Sequence, residues 1–263
     1  MLKLKMYALY DHFSDHNPLE GEPYINCYSD SYVMECTHPG KNIALMLEPR
    51  SMIGNYIDYV YDHHEYFDYI FTHDGKLLTL PNAKLLMWNE VWRTADVPKT
   101  KGISLVTSYK NWCPLHIARL ELAEELKNKG VVDVYYGDWN NPAIPNVEPQ
   151  TYLDEYKFSI VIENDIDDYW YTEKILNCFA TKTVPIYVGS KIIDKIFNGD
   201  GIIQVDDWRT IPELVNNMDP AAEYVKRLEA INDNFGRLDP YRVDWKNRFF
   251  RDYSDILEEL QNG

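Results

Sequence analysis

Short apolar runs alternate along the chain with longer stretches in which apolar residues recur at helical spacing. Leu2, Leu4 and Met6 alternate with lysines, which predicts a first strand. The run 43–47 predicts a buried strand, and the apolar positions of 52–60 repeat with the period of a helix. A succession of strand, helix and strand is typical of α/β proteins with parallel sheets.

The stretch 158–190 contains the clearest unit of this kind. Apolar residues at 158–162 predict one buried strand, and those at 184–188 predict a second. Between the strands, the apolar residues of 175–180 have the spacing of a buried helix face. Polar residues follow both strands, and open α/β sheets bind ligands at the carboxyl ends of their strands. We therefore expect a binding site here.

The residues that begin this helix suggest an anion site. Thr172 is suited to cap the helix, and Lys174 falls in its first turn. Because a helix amino terminus has unpaired N–H groups and partial positive charge, a lysine there is unfavourable unless an anion lies beside it. A phosphate could fill this role, and Glu173 could accept hydrogen bonds from sugar hydroxyls. The residues alone also allow Glu173 and Lys174 to be solvated first-turn side chains.

A linker and a second helix precede this stretch. Pro, Gly and charged residues combine in 96–102, which predicts a connection between two domains. Pro114 opens a helix that Gly130 ends. His116 and Arg119 are one turn apart on it, so both could face the ligand-binding edge of the sheet. The expected apolar stripe of this helix comprises Ile117, Leu120, Ala123 and Leu126.

Composition narrows the class of protein. The chain has 263 residues, which suits two α/β domains, and a net charge of -16, which argues against nucleic-acid binding. No run approaches the roughly 20 apolar residues that cross a bilayer, so no transmembrane segment is expected. The four cysteines are widely spaced and contain no CxxC pair, which favours a reducing, cytoplasmic location without zinc or disulfides.

Other chemistries have weaker support. His12 and His16 stand at HxxxH spacing, but the segment lacks the glutamate of a metalloprotease helix and runs into Asn17 and Pro18. Packed or surface histidines are the better interpretation, and no metal site is expected. The sequence also lacks the GxxxxGK[ST], GxGxxG and GxSxG patterns of kinases, dehydrogenases and esterases.

The polar residues of 158–190 form a recognisable pattern: E-N, a short loop, T-E-K, a helix and V-P-I-Y-x-G. They are Glu163, Asn164, Thr172, Glu173, Lys174, Val184, Pro185, Ile186, Tyr187 and Gly189. This pattern resembles the donor-binding signature of glycosyltransferase family 10, the α1,3/4-fucosyltransferases. The tyrosine that the family has two places before the threonine is Trp170 here, between Tyr169 and Tyr171.

The resemblance implies two Rossmann-like α/β domains in a GT-B arrangement, with the active site in the cleft between them. Residues 1–98 would form the acceptor-side domain and 99–244 the domain that binds the GDP-sugar. The helix in 245–263 would pack back on the first domain. The implied reaction is inverting transfer of L-fucose from GDP-fucose to a glycan hydroxyl, of the α1,3 type on an N-acetylglucosamine or glucose unit. No cofactor is expected, and the implied role is glycan biosynthesis or protein glycosylation.

The same resemblance assigns roles to single residues. Glu48, in a Glu-Pro-Arg segment after the strand at 43–47, would be the general base. Arg119 and Lys174 would bind the donor diphosphate, and Glu173 would lie near the ribose or the developing oxocarbenium ion. The remaining donor-binding residues would be Asn164, Trp170 and Thr172.

This interpretation requires the cationic groups of Arg119 and Lys174 to reach the same place. It also predicts that Lys174→Ala weakens donor binding with little change in fold. Two alternatives stay open at this point. One is a GT-B transferase that uses another GDP-sugar, because Trp170 replaces a family tyrosine. The other is a catalytically inactive protein that binds nucleotide sugars.

Overall fold

The computed structural model describes residues 2–37, 40–137 and 146–263, which divide into two compact units. The first unit extends to Trp88 and resumes at Val243, and the second comprises Asn89–Arg242. The described part of the chain contains no helix that is both long and apolar enough to cross a bilayer.

The first boundary lies at Trp88, whereas the sequence places it at Pro98. The residues that follow Trp88 are hydrogen-bonded within the second unit, which explains the difference. The backbone N–H groups of Trp92 and Arg93 donate to Asn177 Oδ1 at 2.8 and 3.0 Å. The predicted linker at 96–102 is therefore not the junction, and its last residues already belong to a strand that begins at Lys101.

The first unit is built on a five-stranded parallel sheet in which the strands follow chain order. Its strands are β1 (Leu4–Tyr7), β2 (Ile25–Ser29), β3 (Asn42–Leu45), β4 (Tyr69–Thr72) and β5 (Ala83–Leu85). Helix α1 (Arg50–Asp62) packs on one face, where Ala44 and Ile70 meet Ile57 and Val60. The terminal helix α7 (Trp245–Asn262) packs on a core that contains Ile43 and Phe71.

The second unit also has a five-stranded parallel sheet, in the order β10-β9-β8-β6-β7. Its strands are β6 (Lys101–Thr107), β7 (Asp133–Tyr136), β8 (Tyr156–Ile162), β9 (Val184–Val188) and β10 (Ile203–Gln204). Its helices are α2 (Pro114–Lys129), α3 (Glu173–Ala180), α4 (Ile193–Ile196), α5 (Ile211–Asn217) and α6 (Pro220–Gly236). The chain leaves β6 in one direction and β8 in the other, so these neighbours flank a topological switch point, where α/β sheets bind ligands.

Helix α2 begins and ends as the sequence predicts, but its buried face differs. Ile117 is 46% exposed, whereas His116 and Arg119 are buried at 3% and 8% exposure. The hydrophobic pattern places Ile117 inside, yet the polar groups at the end of β8 offer partners to His116 and Arg119 instead. The helix is therefore turned so that two of its first three buried positions, His116 and Arg119, carry polar side chains.

Candidate functional site

The site lies at the carboxyl end of β8, beside the switch point of the second sheet. The predicted strands at 158–162 and 184–188 are confirmed. Strand β8 is followed directly by Glu163 and Asn164. Helix α2 follows β6 and helix α3 follows β8, so the first turns of both helices lie at this edge of the sheet.

Glu163 is fully buried, and it binds the start of α3. The backbone N–H of Thr172 donates to Glu163 Oε1 at 2.9 Å, and the Thr172 hydroxyl donates to Oε2 at 2.9 Å. Lys174 Nζ donates to the same Oε2 at 3.2 Å. A buried charge is tolerated only when it is paired and hydrogen-bonded, and these contacts meet that requirement.

Thr172 is the N-cap of α3, as predicted, and its Oγ1 accepts a hydrogen bond from Lys174 N at 3.3 Å. Lys174 Nζ also donates to Thr172 Oγ1 at 3.0 Å and lies 3.6 Å from Glu173 Oε1. Burial lowers the pKa of Lys174, but the carboxylates of Glu163 and Glu173 outweigh it, so that the pKa is raised. The lysine is therefore a charged group with 27% of its side chain exposed.

These contacts change the argument for an anionic ligand. A lysine in the first turn of a helix needs a nearby anion, and in the structure Glu163 and Glu173 supply negative charge. The sequence pattern includes Glu163 but does not predict its contact with Lys174. The sequence signal for this contact is the position of Glu163 directly after an apolar strand, because a buried carboxylate needs a cationic partner.

Arg119 reaches the same strand end from α2. Its Nη1 donates to the carbonyl of Ile162 at 3.0 Å, and its Nη2 donates to Asn164 Oδ1 at 3.0 Å. Its Nε is buried and has no partner among the described residues. Burial lowers the pKa of Arg119, although a guanidinium in a protein stays protonated.

His116 fixes the orientation of the Asn164 amide. Burial, followed by the charge of Arg119, lowers the pKa of His116 to about 4, so the imidazole is neutral near pH 7. Its Nε2 lies 3.1 Å from Asn164 Oδ1, and the Trp112 N–H donates to its Nδ1 at 3.3 Å. Since Oδ1 can only accept, Nε2 carries the proton and Nδ1 is the acceptor. Both His116 and Arg119 thus hold the same amide oxygen.

Two further predicted donor-binding residues lie in this segment. Trp170 is only 2% exposed, so its ring is inside the protein. The Glu173 side chain is 17% exposed and contacts Lys174 as described. The structure therefore brings Arg119, Asn164, Thr172, Glu173 and Lys174 together within the second unit.

The predicted base, Glu48, belongs to the first unit and follows the end of β3. Its backbone N–H donates to Asp30 Oδ1 at 3.1 Å, and the N–H of Leu47 donates to the same oxygen at 2.8 Å. Asp30 has a positive φ of 48°, a conformation that non-glycine residues seldom adopt. Burial raises the pKa of Asp30. Asp30 thus holds the backbone at Glu48, which the sequence pattern does not predict.

The candidate metal ligands take part in packing instead. His16 Nδ1 lies 3.3 Å from the Leu2 carbonyl, and its ring lies on Phe250. His12 contacts Trp245 edge-on. Across residues 2–37, 40–137 and 146–263, no three His, Cys, Asp or Glu side chains are grouped so as to hold a metal ion.

The two parallel α/β units define the class of protein. A crystal structure of an alpha1,3-fucosyltransferase with GDP aligns with a TM-score of 0.60 at 14% identity, over 98% of this chain and 90% of that one. Another, with GDP-fucose, gives a TM-score of 0.56 at 15% identity, over 89% and 78%. The fold is that of the GT-B glycosyltransferases, and the predicted fold class is confirmed.

Sequence comparison identifies the family. Residues 98–250 match the C-terminal domain of glycosyltransferase family 10 (fucosyltransferase). The chain belongs to this family. An alpha-(1,3)-fucosyltransferase of Helicobacter pylori is 35% identical over 79 residues, 30% of this chain and 15% of that protein. The 4-galactosyl-N-acetylglucosaminide 3-alpha-L-fucosyltransferase 9 of Homo sapiens is 29% identical over 156 residues, 57% of this chain and 40% of that protein. The matches thus span less than half the length of these relatives.

Proposed function

We propose that the protein transfers L-fucose from GDP-fucose to a hydroxyl group of a glycan, with inversion at the fucose carbon. Membership of the fucosyltransferase family supports the reaction, and the relatives named above are α1,3-fucosyltransferases. An N-acetylglucosamine or glucose unit is the proposed acceptor. The cytoplasmic location stays a prediction.

One observation carries the proposal: two cationic side chains from different helices bind residues at the end of the same strand. Arg119 contacts Ile162 and Asn164, and Lys174 contacts Glu163, which lies between them in sequence. The guanidinium from the second turn of α2 and the ammonium from the first turn of α3 provide the positive charge that a diphosphate needs, and the start of α3 adds backbone N–H groups.

The proposed mechanism assigns each step to a side chain of this chain. Glu48 removes the proton of the acceptor hydroxyl, a contribution of roughly 10²- to 10⁴-fold in rate. Arg119 and Lys174 stabilise the negative charge that develops on the departing GDP. Glu173, with its carboxylate partly exposed, faces the ribose or the positive charge that develops on the fucose ring. Direct displacement then inverts the configuration.

Three other residues support the donor in this scheme. Asn164 accepts hydrogen bonds from Arg119 and His116 at its amide oxygen, and it thereby holds the Arg119 guanidinium in place for the donor. Thr172 caps the helix whose amino terminus faces the phosphates. Trp170 is assigned to the donor-binding segment from its place in the family pattern, and its buried ring would support that segment from inside the protein. No cofactor takes part in this proposal, and assays with and without EDTA test that point.

The decisive experiment measures release of GDP from GDP-fucose in the presence of N-acetyllactosamine, lactose and simple monosaccharides. We expect turnover with at least one acceptor and a product of inverted configuration. Glu48→Gln should lower kcat by about 10²-fold or more while GDP still binds. The matched control is Glu20→Gln at an exposed position of the same unit. Retained configuration, or full activity of Glu48→Gln, would contradict the mechanism.

The same assay separates the two alternatives. A panel of other GDP-sugars tests whether the donor differs from GDP-fucose. A protein that binds GDP by calorimetry but releases none from any donor and acceptor pair would be a nucleotide-binding protein without transferase activity.

A further inference from the structure

Glu163 has no part in the mechanism above, yet it is the most deeply buried charged group at the site. Its side chain is 0% exposed, and it contacts both Thr172 and Lys174. We propose that Glu163 is a positioning residue, a built-in counter-ion that keeps the Lys174 ammonium charged and in place for the donor diphosphate. This inference rests on the proposed function of the site.

The contacts of Glu163 fix both the position and the direction of Lys174. Two hydrogen bonds to Thr172, one from the backbone and one from the hydroxyl, tie the carboxylate to the first residues of α3. The ammonium of Lys174 then lies between Glu163 Oε2 and Thr172 Oγ1, at 3.2 and 3.0 Å. The exposed quarter of the lysine side chain leaves an open side at which an anion can bind.

The backbone at Gly189 lies close to the Glu163 side chain. Gly189 follows β9, and a Cβ atom added there would lie 2.8 Å from Glu163 Cγ. The same atom would collide with the ring of Tyr187, which is completely buried. The glycine of the V-P-I-Y-x-G pattern is thus explained by the close approach of Glu163 and Tyr187, and not by a positive φ angle.

Charges on three elements act on Lys174. Glu163 at the end of β8 and Glu173 in α3 favour the ammonium form, whereas Arg119 in α2 opposes it. His116, also in α2, is neutral near pH 7 and adds no charge there. Burial alone favours the neutral amine, so the two carboxylates decide the balance. Glu163 is the closer of the two, at 3.2 Å against 3.6 Å for Glu173.

A purely structural role for Glu163 would make a different prediction. If the carboxylate only held Thr172 in place, its charge would not matter, and a glutamine would serve equally well. The ionisation of Lys174 would then be the same in both proteins. The proton on Lys174 is therefore the property that distinguishes a counter-ion from a simple structural contact.

The experiment compares the wild type, Glu163→Gln and the double variant Glu163→Gln/Lys174→Arg. Lysine Nζ signals are followed by ¹⁵N NMR between pH 7 and 11, with the Lys174 signal assigned by its loss in Lys174→Arg. We expect Lys174 of the wild type to titrate above an ordinary lysine, and Glu163→Gln to lower its midpoint by about one pH unit or more. An unchanged midpoint overturns the inference.

Calorimetry with GDP gives the functional side of the test. In the wild type, affinity should hold from pH 7 to 9.5, whereas in Glu163→Gln it should fall toward pH 9.5 as Lys174 loses its proton, by about twofold if the Lys174 midpoint lies near 9.5. The double variant should remove this fall, because arginine stays charged without a counter-ion.

The outcomes separate this inference from the proposed function. A wild type that binds no GDP would contradict the proposed donor site, and the Nζ titration would still test the counter-ion. A wild type that binds GDP together with a Glu163→Gln variant of identical pH dependence would overturn only the counter-ion. If Glu163→Gln does not fold, the wild-type titration decides: a Lys174 midpoint below that of ordinary lysines refutes the proposal.

Discussion

Replacing Lys174 with methionine should destabilise the second unit, which the sequence alone does not predict. The variant keeps most of the side-chain volume but removes the ammonium, so that among the described residues the two groups of Thr172 are left to bind the fully buried Glu163 carboxylate. Loss of one partner from a buried ion pair costs about 3–5 kcal/mol of unfolding free energy. Because about a quarter of the lysine is exposed, we expect about 2–4 kcal/mol here.

A double-mutant cycle tests the cause of this loss. In Glu163→Gln/Lys174→Met the buried charge is gone, so the double variant should be more stable than Lys174→Met alone. The coupling energy should be about 1–3 kcal/mol. Urea unfolding followed by circular dichroism gives the values, and Lys195→Met, at an exposed position of α4, should stay within about 0.5 kcal/mol of the wild type.

Additive effects in this cycle would refute the reasoning, since they would mean that Glu163 and Lys174 do not interact. GDP binding should be weak in Lys174→Met and in the double variant alike, because both lack the ammonium. Recovered stability without recovered binding would separate the structural role of the pair from the binding role of Lys174.

Three other predictions follow from single contacts. Gly189→Ala should lower stability by about 1–3 kcal/mol in thermal unfolding, because its methyl group would collide with Tyr187; Gly236→Ala, with nothing within 4 Å, is the control. Because the pKa of His116 is lowered in the folded protein, stability should decrease as pH falls from 6.5 toward 4, by at most about 3 kcal/mol. In His116→Gln the urea unfolding midpoint should depend less on pH across this window. Asp30→Ala should cost about 2 kcal/mol by leaving two N–H groups without their acceptor, and Asp30→Asn should cost less because asparagine accepts hydrogen bonds and tolerates positive φ.

The sequence predicts the elements of the second unit well, because their signals are local. Strand β9 has the predicted bounds, and helix α2 begins at a proline and ends before a glycine in a left-handed conformation. Strand β2 is not predicted, since Ile25–Ser29 is short and includes polar residues at alternate and terminal positions. Its burial comes from neighbouring strands on both sides, which a local pattern does not reveal.

The site shows the same division between local and distant information. Thr172 as the helix cap follows from residue type and position alone. The buried orientation of His116 and Arg119 depends on acceptors at Ile162 and Asn164, more than forty positions along the chain. A hydrophobic pattern contains no information about such partners. It therefore predicts that Ile117 is buried, whereas the structure has it exposed.

The topology of the second sheet explains why two cations can serve one ligand. The connection from β6 leads to β7 on one side, and that from β8 leads to β9 on the other. Since parallel crossovers are right-handed, α2 and α3 must lie on opposite faces of the sheet. Their bodies are thus separated, but their first turns both begin at the carboxyl edge. Glu163 and Asn164 are consecutive at this edge. Glu163 binds Lys174 of α3, and Asn164 binds Arg119 of α2. Two residues at the end of a single strand thereby place both cations at the switch point.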